Sequence, residues 1–86
     1  MTIKKELIKR DIAGDTVLVP VGKTVYDSNG LFILNEMGSF LWDLLPEAED
    51  EVFLVEAVLR EYEAEEAEVC RDIAEFLEKL RQMNII

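Results

Sequence analysis

Two hydrophobic periods divide the chain. Up to Leu34 the apolar residues fall in short runs bounded by turn residues, and after Asn35 they recur every three or four positions. Lys5 to Ile12 has enough apolar character for one strand, and Ala13-Gly14-Asp15 signals a turn. Thr16-Val17-Leu18-Val19-Pro20-Val21 is rich in β-branched residues and reads as a second strand. Pro20 cannot donate to a ladder, so it belongs near that strand's end or on an edge. Gly22 to Tyr26 reads as extended, Asp27-Ser28-Asn29-Gly30 as a reverse turn, and Leu31 to Leu34 as a third strand. Residues 16–34 therefore form a hairpin in an antiparallel sheet of three strands.

The remainder is helical. Asn35 is a good N-cap, with Glu36 facing the positive end of the helix dipole. Met37, Phe40, Leu41, Leu44 and Leu45 form the stripe of this first helix, Trp42 packs at the rim of the core, and Pro46 stops it. A second helix starts near Asp50, with Val52, Val55, Leu59 and Tyr62 as its buried stripe, widened by Val58. The third runs from about Glu65 to Met83. Val69, Ile73, Phe76, Leu80 and Met83 step along its apolar face, with Cys70 and Leu77 alongside. Asn84 can take the left-handed conformation that closes a helix, leaving Ile85 and Ile86 to fold back onto the core. The expected architecture is α+β and winged-helix-like: a three-stranded antiparallel sheet followed by three helices, in a single domain over residues 1–86.

Composition narrows the function. The chain has 86 residues, half of them apolar, and one cysteine, so it is held together by packing and not by an internal disulfide. A cytoplasmic location is expected, because no apolar run approaches the roughly 20 residues of a membrane span and no apolar segment follows the N-terminal lysines. The net charge of −10 is unevenly placed. Residues 1–45 carry five Lys/Arg and six Asp/Glu, whereas residues 46–86 carry four and thirteen. Such a field repels phosphate backbones and favours a basic partner.

Nothing in the sequence reads as catalytic. The absence of histidine removes the commonest general base and metal ligand. Cys70, beside an apolar stripe, reads as a small buried hydrophobe. Gly22-Lys23-Thr24 ends like a phosphate-binding loop, but Val17 stands where that loop needs its first glycine. The acids from Glu61 to Glu68 cluster at a helix entry, where they suit the dipole. No calcium-loop spacing occurs, and no metal or cofactor is expected. What remains is a surface: if Leu31–Leu34 is an edge strand beside the third helix, an extended peptide could add to that edge in an apolar-walled groove. Leu31 and Ile33 would share one face and Phe32 and Leu34 the other.

Gly30-Leu-Phe-Ile-Leu-Asn-Glu-Met-Gly-Ser-Phe-Leu-Trp42, the Glu-rich entry to the third helix and its ending Phe76-Leu-Glu-Lys-Leu-Arg-Gln-Met-Asn-Ile-Ile86 resemble the PqqD-like family. Its wider group comprises the recognition elements of ribosomally synthesised, post-translationally modified peptides. The likeness covers nearly the whole chain and is most specific at Leu34-Asn35-Glu36-x-Gly38 and at the terminal Phe-Leu-x-x-Leu helix. Met37 replaces a usual threonine, and Asn84 a usual glycine. The resemblance implies a non-catalytic module that binds the leader of a precursor peptide by strand addition and presents it to a modifying enzyme, often a radical S-adenosylmethionine protein. Carried over residue by residue, the peptide contacts are Leu31, Phe32, Ile33 and Leu34 on the strand, with Cys70, Ile73, Ala74, Leu77 and Arg81 on the helix. A monomer or weak dimer is expected. The rival classes are a winged-helix regulator and an edge-pairing dimerisation domain. The regulator needs a basic recognition helix, whereas the third helix holds six acids against Arg71, Lys79 and Arg81.

Overall fold

The computed structural model describes residues 1–22 and 32–86. Three strands, β1 (Leu7–Ile12), β2 (Asp15–Pro20) and β3 (Phe32–Leu34), precede three helices, α1 (Glu36–Leu44), α2 (Glu51–Glu61) and α3 (Glu66–Gln82). The strands form an antiparallel sheet in the order β1-β2-β3, which leaves β1 and β3 at its edges. This is the expected α+β arrangement. Leu31, the turn expected at Asp27–Gly30 and all but Gly22 of the extended stretch expected at Gly22–Tyr26 lie outside the described residues. Gly22 is not extended as anticipated but has φ +58°.

The β1–β2 hairpin turns on Ala13 and Gly14, both at positive φ (52° and 88°), with Ile12 paired to Asp15. Positive φ at both central residues matches the right-handed twist of the strands they join. Pro20 ends β2 opposite Leu7, where its missing N–H does least harm.

Register decides which residues meet the helices. Leu18 pairs with Phe32 and Thr16 with Leu34, so these side chains share a face, and Leu18 and Leu34 are buried in the core. Val17 pairs with Ile33 on the opposite face, where Ile33 is 66% exposed. Lys9, on the helix-facing side, donates to Ser39 Oγ (2.9 Å) and pairs with Asp43 (2.6 Å), tying β1 to α1.

The first two helices begin at side-chain caps, whereas α3 begins at Glu65 without one. Asn35 Oδ1 accepts from the Gly38 N–H at 2.7 Å, and Asp50 Oδ1 accepts from the Phe53 N–H at 3.0 Å. A cap of this kind contributes about 1 kcal/mol. At the end of α3, Asn84 takes φ 58° as anticipated, its N–H donating to the Arg81 carbonyl and that of Ile85 to the Leu80 carbonyl. This paired closure turns the chain back and buries Ile85 in the core.

Three helical faces differ from the sequence reading. Trp42 is buried in the core with Leu41 and Leu45, not at its rim. In α2 the buried residues are Leu54, Ala57 and Val58, while Val52 is 60% exposed and Val55, Leu59 and Tyr62 are half-buried. Apolar residues cover more than one face of that short helix, so several stripes fit its spacing equally well. In α3 the buried seam is Val69, Ile73, Leu77 and Leu80, and Cys70 is exposed where burial was expected.

Candidate functional site

At about 100° per residue, Asp72, Glu75, Phe76 and Lys79 fall on one flank of the α3 seam. Cys70, Ala74 and Arg81 fall on the other. The first flank faces β3. Between them lies a groove of about 550 Å³, within the size range of ligand sites. One wall is β3 itself, Phe32 to Leu34, whose outer edge pairs with no strand among the described residues. The opposite wall is the Asp72, Glu75, Phe76 and Lys79 flank, and Met37, Gly38 and Leu41 of α1 close the floor.

The floor is shaped by a glycine. A Cβ on Gly38 would stand 3.2 Å from Asn35 Oδ1 and 3.3 Å from Leu34 Cδ2, tighter than ordinary packing, with Phe76 Cε1 in contact at 3.4 Å. Without it, the strand and α3 both close onto the backbone of α1. Phe76 then meets Phe32 edge to face, with ring centroids 6.2 Å apart, a favoured aromatic geometry. The result is an apolar trough beside a row of strand N–H and C=O groups.

The rim is acidic. Among the described residues, Asp15, Asp72 and Glu75 line the groove against one cation, Lys79, and no ion pair engages these acids. A phosphate backbone would meet net negative charge here, which disfavours the regulator reading.

Of the sequence-predicted contacts, Phe32, Ile33 and Leu34 line the groove. Ile73 and Leu77 are fully buried in the core beneath it. Cys70 and Ala74 are exposed on the far flank, and Arg81 pairs there with Glu51 and Glu78 at 3.8 and 3.7 Å. The helix wall consists instead of Asp72, Glu75, Phe76 and Lys79, together with Met37, Gly38 and Leu41 from α1. Gly38, inside an amphipathic helix, was the available signal for close approach.

A second, shallower hollow adjoins the first. It is lined by residues that include Asp15, Leu34, Asn35, Glu36, Phe40 and Tyr62, and the first three also line the groove. Phe40 and Tyr62 meet edge to face at 5.4 Å.

The family model for coenzyme PQQ synthesis protein D (PqqD) matches residues 15–86. The chain belongs to the PqqD family. A solved structure described as TbiB1 in complex with the TbiA(beta) leader peptide is similar to it, with 28% sequence identity and a TM-score of 0.73. That similarity covers 99% of this chain and 93% of the other. Comparison with curated proteins gave no match. The region matched to the PqqD model contains β2, β3 and all three helices, and so every element of the groove. Among the described residues no helix is long and apolar enough to cross a membrane.

Proposed function

We propose that this chain binds the leader segment of a ribosomally made precursor peptide as an added strand on β3 and presents it to a modifying enzyme, without performing the chemistry itself. The observation that carries this reading is the edge of β3, which pairs with no strand among the described residues, set against a trough with an apolar floor. Backbone pairing along Phe32–Leu34 supplies register and affinity, and alternate side chains of the peptide descend toward Phe76 and Leu41. A peptide held extended on this edge has already lost its conformational freedom when it reaches the modifying enzyme, so that ordering cost falls on this binding step and not on the enzyme's. Membership of the PqqD family and the leader-bound neighbour support the same assignment.

Fluorescence anisotropy of labelled peptides tests it, using the TbiA(beta) leader and the leader of a small precursor encoded beside this chain's gene. Saturable binding by one of them at micromolar concentrations is expected, with affinity falling as salt is raised, because the rim is charged. Flat anisotropy for both up to millimolar chain would contradict the proposal.

A further inference from the structure

The groove and the second hollow meet at Asp15, Leu34 and Asn35. A peptide paired on the outer edge of β3 and continuing past Leu34 is carried over this junction into the hollow. Antiparallel addition is the sense of both existing pairings. In that sense, the residues entering the hollow are those preceding the paired segment.

The hollow's chemistry selects what can sit there. Asp43 is already engaged by Lys9, whereas Asp15 and Glu36 are exposed and in no ion pair among the described residues. Beside them stands the Phe40–Tyr62 aromatic pair. Two exposed carboxylates, in no ion pair among the described residues, and two rings in one concavity complement a cation on a long aliphatic stem. A guanidinium suits it best, since its plane can stack on a ring while its edge bonds a carboxylate. Lys9 is the cation nearest the hollow, bonded to its lining residues Ser39 and Asp43, and it leaves the Asp15 and Glu36 carboxylates to a cation from outside.

We propose that the leader bound at the β3 edge extends over the β3–α1 junction and sets a lysine or arginine side chain in the second hollow, against Asp15, Glu36 and the Phe40–Tyr62 pair. The inference rests on strand addition at β3, and it adds a charge requirement on the N-terminal side of the paired segment.

Random 12-residue peptides displayed on phage test it, selected on the full chain and separately on a D15N/E36Q variant, with amide shifts at residues 32–34 identifying binders of the β3 edge. The expected consensus is a short apolar strand preceded by Lys or Arg. Changing that cation to alanine in the peptide should weaken binding to the unaltered chain about five-fold, the size of two exposed charge contacts. The D15N/E36Q variant should no longer enrich the cation. Edge binders with no basic preference, or with equal affinity after the alanine change, would overturn the inference while leaving strand addition standing. Failure to recover any peptide that shifts residues 32–34 would overturn both.

Discussion

Replacing Leu77 by alanine is expected to destabilise the domain by about 3 kcal/mol and to lower its thermal midpoint by more than about 10 °C. Leu77 is fully buried at the centre of the α3 seam, in one cluster with Leu18 and Leu34 of the sheet, Leu41 of α1 and Leu54 of α2. Truncation there removes apolar burial and leaves a cavity within that cluster. Such a loss is a large fraction of the roughly 5–15 kcal/mol that stabilises a small domain. Cys70, seven residues back along α3, is exposed on the far flank, so C70S should change stability by less than about 0.5 kcal/mol. Chemical denaturation of both variants checks this. Comparable losses would mean that the seam of α3 is rotated from the position described.

The second large effect concerns binding. F76A is expected to weaken leader affinity by more than about ten-fold while the protein remains folded, at a stability cost of about 1–2 kcal/mol. Phe76 is half-buried, rests against Phe32 and stands beside Gly38, so its ring forms the apolar part of the α3 wall. Removing it takes away both the surface that a peptide side chain would cover and the support that holds Phe32 in place. R81A is the matched control. Arg81 lies on the far flank in exposed ion pairs with Glu51 and Glu78, and its loss should leave affinity within about two-fold. Titration calorimetry on the two variants separates the flanks. If R81A lost affinity and F76A kept it, the peptide would lie on the other side of α3.

Much of this was legible in the sequence, and the illegible part has a physical cause. Strands and helices separate by period, and Asn35, Asp50 and Asn84 mark helix ends through chemistry that acts within a few residues. Local rules gave the three strands but left the edge position of β3 a condition, which the order β1-β2-β3 meets. The rotation of each helix is a different matter. In α3, Val69, Cys70, Ile73, Ala74, Phe76, Leu77 and Leu80 cover an arc wider than the core needs. Which margin stays exposed depends on where the sheet lies, and that is fixed by packing across the domain. Cys70 and Ala74 are small enough to suit either setting, so their identity carries little information. Asp72 and Glu75 read as solvated acids, and only the proximity of β3 turns them into a groove wall. The same limit hid Leu54 in α2 and left open which face of β3 would be buried.

The central claim is that an extended peptide pairs with the outer edge of β3. Backbone NMR of the isotopically labelled full chain bound to an unlabelled leader tests it most directly. The account predicts cross-strand contacts between peptide backbone protons and Phe32–Leu34, slowed amide exchange on that strand, and side-chain contacts to Phe76. Cross-strand contacts along Leu7–Ile12 at the opposite edge, or a bound peptide with no backbone contact to β3, would contradict it.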